Sequence, residues 1–329
     1  MAGDGRAALA IDGRAAGAHT DWGGKTMRAA FIDEFGGPDK VQIGDQPMPQ
    51  TGAGEVLIKT VAAGVGPWDV KMMGGMFGSL PLPLRLGLEA AGLVERVGDG
   101  VDVQPGDAVY GSVRGGFAEY VVASRDLLAR KPETLSFEEA AGLVVGGGTA
   151  YEGLIDRARL RSGESVLITT ASGGVGSAAV QIAAAVGARV LAVAGARNHD
   201  YLRGLGARDV FDYHAADWVD QVRATVPGGV DVLFDGAGGD TRDRAVGAVR
   251  DGGRAVFIVG PPSALERDIT ANAFSADVNR ERLEALNRLV EEGKLRVAVE
   301  AMFPLDQARE VLERVAGGHT RGKIVLTVG

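Results

Sequence analysis

The sequence contains no cysteine, which excludes disulfides, thiolate-bound zinc and a cysteine nucleophile together. Histidine is scarce. His19, His199, His214 and His319 are scattered and never fall at the i, i+4 spacing that sets two imidazoles on one helix face. Surface or capping roles are expected for them, and no metal site. Basic residues are not in excess either. A net charge of −8 argues against a nucleic-acid partner and supplies no attraction to anionic lipid. No apolar run reaches the roughly 18–20 residues that a membrane span needs, and neither an internal repeat nor a low-complexity linker interrupts the chain.

What is present describes a globular protein. A length of 329 residues suits two domains, and 46% hydrophobic with 24% charged residues is ordinary for a soluble chain. Residues 1–26, "MAGDGRAALAIDGRAAGAHTDWGGKT", lack the apolar core and cleavage site of a secretory signal. They are expected to be an unstructured extension before Met27, and a cytoplasmic location follows by default. From Met27 short β-type runs ("MRAAFIDEF", "EVLIKTVAAGV", "DAVYG", "AEYVVA") are punctuated by Gly, Pro and Asp. Near residue 137 the period turns helical, opening on Ser136 with Glu139 placed for a capping box. A regular alternation follows: strand 165–170, helix 174–186, strand 189–194, helix 198–205, strand 209–211, helix 215–225, strand 231–235, helix 240–250, strand 254–259. Such alternation means βαβ units and a parallel sheet. Helices over 279–295 and 305–316 and a strand "KIVLTV" close the chain, and that strand is expected to return to the first domain.

The segment "VLITTASGGVGSAAVQIAAAVGARVLAVAGARN" carries the most specific signal. Ala171, Gly173 and Gly176, with Ser172, Gly174 and Val175 between them, form an A-x-G-x-x-G turn between an apolar strand and an Ala-rich helix. That context places backbone N–H groups and a helix N-terminus against a dinucleotide's diphosphate. The following strand ends Ala194-Gly195-Ala196-Arg197. It has no carboxylate to accept a ribose 2′-hydroxyl, whereas the Arg197 guanidinium suits a 2′-phosphate, so NADPH is favoured over NADH.

"MRAAFIDEFGGP", "GEVLIKTVAAGVGPWD", "GDAVYG", "ASGGVGSAAVQIA" and "RGKIVL", in this order, resemble the zinc-free, zeta-crystallin-like quinone oxidoreductases of the medium-chain dehydrogenase/reductase superfamily. The resemblance covers residues 27–329. It implies an α/β protein with a GroES-like β-rich catalytic domain over 27–148, completed by 288–329. A Rossmann-type doubly wound cofactor domain over 149–287 accompanies it, with the active site in the cleft and a homodimer as the assembly. It also implies that Thr149 lies near the nicotinamide, Tyr213 beside the adenosine phosphate, Gly260 and Pro261 in the loop passing the nicotinamide, and Lys323 near the pyrophosphate. Departures are visible too. The zinc-dependent relatives carry a cysteine and a histidine at the positions of Gly66 and Leu88, and neither residue here can bind a metal. Many quinone oxidoreductases carry asparagine at the position of Gly66, and a tyrosine near Lys71, which this chain lacks.

The chemistry left to such a site is limited. Reducing a simple ketone leaves alkoxide charge that needs a metal or a strong acid. No tyrosine is followed four residues later by lysine, the proton-donating pair of the short-chain reductases. A quinone or an α,β-unsaturated carbonyl delocalises the charge itself, and the protein need only position it. Trp68, Asp69 and Lys71 are the candidate pocket residues: an aromatic platform or core residue, a carboxylate that orients the loop, pairs with Lys71 or titrates, and a hydrogen-bond donor or solvated lysine. Met72, Met73, Met76 and Phe77 read equally as a pocket wall or as core. Glu89 and Asp107 read as structural, and Asp235 as a sheet-edge residue or a loop cap. The readings that follow are a quinone reductase, an enone, enal or enoyl-thioester reductase, and a cofactor-binding protein without turnover.

Overall fold

The computed structural model describes residues 24–329 apart from 77, 79, 263, 266 and 319. Most of the expected N-terminal extension, residues 1–23, lies outside the described residues, and Thr26 already pairs with Pro47 in the first strand, Thr26–Ile32. That strand sits between Gln42–Pro47 and Leu84–Arg85 in a three-stranded sheet.

A seven-stranded sheet is organised around Glu55–Val65. This strand pairs with Glu89–Val97, Tyr120–Ser124 and the C-terminal strand Lys323–Thr327. Its second half is buried almost without alternation, so the "VAAGV" run reads as a strand covered on both faces. One cover is the helix Phe137–Tyr151, capped as expected: Glu139 N donates to Ser136 Oγ at 3.1 Å and Ser136 N to Glu139 Oε2 at 2.9 Å. The last strand does return to this seven-stranded sheet, and it lies parallel to a strand the sequence did not announce, Val299–Pro304.

The second sheet has six strands, all parallel, in the order 209–211, 189–193, 165–168, 230–235, 249–257, 270–273. Its chain order reverses between Ser165–Ile168 and Val230–Asp235, the switch point at which doubly wound sheets bind ligands. Two elements differ from the sequence reading. The helix expected over 240–250 stops at Val246 and the next strand begins at Val249, because Val249 is needed opposite Val230, with "DGG" absorbed in a register shift before Arg254. Thr270–Ala273, a polar, mostly exposed edge strand, is held by backbone pairing and has no apolar alternation to reveal it. Among the described residues, no helix is long and apolar enough to cross a membrane.

Candidate active site

The glycine turn lies at the carboxyl end of Ser165–Ile168, and the helix Gly174–Val186 starts from it. Gly176 is fixed by contact. A Cβ there would stand 2.2 Å from Thr170 O and 2.6 Å from Ala171 Cα, so only glycine lets the helix close on the strand. Gly173 caps the helix without any side-chain hydrogen bond. The amides of the first turn therefore have no intrahelical acceptor and no capping side chain, which fits a bound anion. Ser172 Oγ accepts from Asn198 Nδ2 at 3.1 Å, while Ala171 is buried beneath the turn.

Beside the turn, Thr169 Oγ1 donates to Asp235 Oδ1 at 2.6 Å, and Asp235 accepts in turn from the amides of Ala237 and Gly238. Asp235 is thus the loop cap that ties the two switch-point strands together. The loop after Val249–Phe257 is held from below, Arg242 donating to the carbonyls of Gly260 and Pro261 at 3.2 and 3.1 Å. Thr149 is buried and donates to Val145 O at 2.6 Å within its own helix.

The C-terminal strand brings the two sheets together here. Gly322 N donates to Ser172 O at 2.9 Å. Lys323 follows it, packing its aliphatic stem on Gly174 and turning its ammonium inward. That ammonium is paired with the fully buried Glu89 and lies 4.5 Å from the centroid of the Trp68 ring. Glu89 Oε2 accepts from Val145 N at 2.8 Å. Burial pushes the Glu89 carboxyl up, while the Lys323 ammonium and the Val145 amide pull it back. The structural role read for Glu89 is therefore as a counter-ion. Asp107 is likewise structural, accepting from Gln104 N and pairing with Arg130.

Of the three pocket candidates, Trp68 and Asp69 join this cluster. Asp69 does not pair with Lys71; its Oδ2 accepts from Gly66 N at 2.8 Å and orients the start of the helix Pro67–Met73. Its other oxygen and the indole Nε1 of Trp68 are both buried without a hydrogen-bond partner among the described residues. Lys71 is half-buried and its ammonium has no ion pair among the described residues. Met72 and Met73 are core and not pocket wall; Met76 is exposed and Phe77 lies outside the described residues. Trp68 also explains Gly66. A Cβ at 66 would fall 2.2 Å from Trp68 Cζ2 and 2.3 Å from Cε2, so the indole occupies the room that a cysteine or asparagine side chain would take.

Burial raises the Asp69 carboxyl to about 8, against the pull of the Gly66 amide. The folded protein thus keeps a proton that the unfolded chain releases near pH 4, so stability falls as pH rises from about 4 to 8 and levels off above. Asp69→Asn, which keeps the acceptor for Gly66 N–H, should remove this slope of up to ~1.4 kcal/mol per pH unit. Denaturant midpoints of both proteins from pH 5 to 9 measure it, and parallel curves would mean that Asp69 is already ionised in the fold.

At the far end of the turn, the strand Arg189–Val193 leads to Gly195, with Arg197 exposed just beyond. Tyr213 lies across from it, 36% exposed, its ring packed on His214. One expectation needs correcting. The second strand carries no carboxylate, but Asp212 reaches the same place from the neighbouring strand's end and accepts from the Ala196 amide. Sequence order hid it, because the approach depends on sheet pairing.

Two family models match the chain: "Alcohol dehydrogenase GroES-like domain" over residues 52–133 and "Zinc-binding dehydrogenase" over 205–326. With the two sheets they define a medium-chain dehydrogenase/reductase, a GroES-like domain joined to a Rossmann-type domain. Quinone oxidoreductase of Mus musculus is 34% identical over 326 residues, 92% of this chain and 98% of the relative. The NADPH-dependent alkenal/one oxidoreductase (chloroplastic) of Arabidopsis thaliana is 33% identical over 322 residues, 92% of this chain and 80% of the relative. A solved structure described as an NAD-dependent alcohol dehydrogenase superposes with a TM-score of 0.86 at 32% identity, covering 92% of this chain and all of that one. The chain belongs to the zeta-crystallin-like quinone oxidoreductases of the medium-chain dehydrogenase/reductase superfamily.

Proposed function

We propose that the protein is an NADPH-dependent reductase that passes hydride to a quinone without a metal. The observation that carries the reading is the uncapped first turn at 174–176, joined through Lys323 to a pocket segment that lacks a ligating side chain at Gly66 or Leu88. Bound nicotinamide supplies hydride; the chain's residues hold and orient the reactants. The amides after Gly173 take the diphosphate, Arg197 and Tyr213 the adenosine end, and Gly260, Pro261 and Thr149 border the nicotinamide end. Trp68, fixed over the Lys323–Glu89 pair, offers a flat wall to a conjugated acceptor. Hydride and a solvent proton together convert quinone to hydroquinone, and delocalisation spares the site a strong acid.

The similarity to an alkenal/one oxidoreductase favours a second reading, reduction of an activated C=C bond by the same arrangement. NADPH consumption should be followed with naphthoquinone and phenanthrenequinone against 2-alkenals and crotonyl thioester, with and without chelator. Turnover of the quinones unaffected by chelator is expected. Turnover of alkenals alone selects the second reading, loss on chelation removes metal independence, and tight binding without consumption on any acceptor makes the protein a non-catalytic NADPH binder. Domain boundaries at 27–148 with 288–329 and at 149–287, a homodimer and a cytoplasmic location belong to the same proposal. Light scattering should give twice the 34.0 kDa chain mass, and a monomer would remove the dimer.

A further inference from the structure

The geometry points to His214, oriented by Asp212, as a second reader of the ribose 2′ position, setting together with Arg197 the preference for a 2′-phosphorylated dinucleotide. This rests on the dinucleotide reading above. In doubly wound folds the end of the second strand meets the adenosine ribose. Gly195 stands there, and a Cβ on it would lie 3.7 Å from Tyr213 Cε1 and 3.9 Å from His214 Cε1. The two rings pack at 4.0 Å between centroids with 32° between their planes, so the imidazole is braced by the phenol.

Asp212 Oδ1 receives the ring Nδ1 at 2.8 Å and the His214 backbone amide at 3.0 Å. With Nδ1 engaged, Nε2 is the nitrogen left for a ligand, on a side chain that is 68% exposed. A 2′-phosphate set against Nε2 can share a proton with the ring in a charge-assisted hydrogen bond, which a 2′-hydroxyl cannot match. Asp212 acts oppositely. Bonds from His214 and the Ala196 amide hold its carboxyl below the usual range, so it carries negative charge next to the same place. Discrimination is then a balance of Arg197 and His214 against Asp212, and a plain ribose hydroxyl feels little of it.

Calorimetric titration of the intact protein with 2′-phospho-ADP-ribose and with ADP-ribose separates these terms. His214→Ala should weaken the phosphorylated ligand about threefold to tenfold and leave ADP-ribose within about twofold. Asp212→Asn, which keeps an acceptor for Nδ1, should tighten the phosphorylated ligand by a similar factor. Equal losses for both ligands in His214→Ala, or no change in either, would overturn the assignment. So would weakened ADP-ribose binding in Asp212→Asn, which would make Asp212 a reader of the 2′-hydroxyl. Arg197→Ala serves as the reference for loss of a 2′-phosphate contact. If neither ligand binds the unaltered protein, the dinucleotide reading falls and takes this one with it, whereas binding without altered discrimination sinks this inference alone.

Discussion

Lys323→Met should be the most destabilising single change at the site, at about 3–5 kcal/mol. The expectation follows from what remains behind. Glu89 is fully buried, and among the described residues its one cationic partner is the Lys323 ammonium, itself 4% exposed. Removing that ammonium leaves a carboxylate with only the Val145 amide to solvate it, so Glu89 must either take up a proton or force water into the seam. The loss of the cation over the Trp68 ring adds to the cost, since a desolvated cation–π contact is worth up to ~2 kcal/mol. Combining Lys323→Met with Glu89→Gln removes both charges and should recover a large part of the loss, because a neutral amide still accepts from Val145 N. Denaturant midpoints of the two single variants and the double variant complete the cycle. Additive effects, or a single-variant loss under about 1 kcal/mol, would mean that the pair is solvated and carries no such load. Because the Lys323 stem packs on Gly174, the variant also loosens the wall of the glycine turn, and weaker nucleotide binding should accompany the lower midpoint if the proposed site is right.

The contrast between Lys323 and the turn it touches separates what could be read from the sequence from what could not. The cofactor sheet was legible because its signals are local: an apolar run, a glycine turn and a helical period lie within a few tens of residues, and the helix Gly174–Val186 falls where they put it. The strand Thr270–Ala273 escaped because backbone pairing alone maintains an edge strand. Glu89 and Lys323 are 234 residues apart, and nothing at either position tells which charge the fold will bury against which. Asp69 could be read as a loop-orienting residue from its place in "GPWD", but its isolation from Lys71 depends on the direction in which the helix Pro67–Met73 leaves the strand. The same holds for Gly66. In sequence it is a missing polar group, while in the fold it is the room that the Trp68 indole fills. Residue types thus marked the candidate segments, and three-dimensional pairing decided which partner each residue obtained.

Gly176→Val should abolish useful nucleotide binding, and Gly173→Ala should distinguish the reason. At 176 the added Cβ meets Thr170 O at 2.2 Å and the Ala171 backbone at 2.6 and 2.8 Å, all atoms of the turn itself that no rotamer change can clear. The helix must back away from the strand, at an overpacking cost of roughly 1–3 kcal/mol. As it does so, the amides of 174–176 leave the place where a diphosphate would sit, and affinity should fall by at least ~1.4 kcal/mol, a factor of ten. At 173 a Cβ meets only Thr170 O, at 3.5 Å, so Gly173→Ala has room within the protein and should melt with the unaltered chain. Its methyl group instead adds bulk at the head of the uncapped turn. If the diphosphate lies there, Gly173→Ala should bind ADP-ribose markedly less well while keeping its stability, whereas Gly176→Val loses both. Undiminished ADP-ribose binding by a folded Gly173→Ala protein would place the nucleotide away from this turn and remove the basis of the proposed activity.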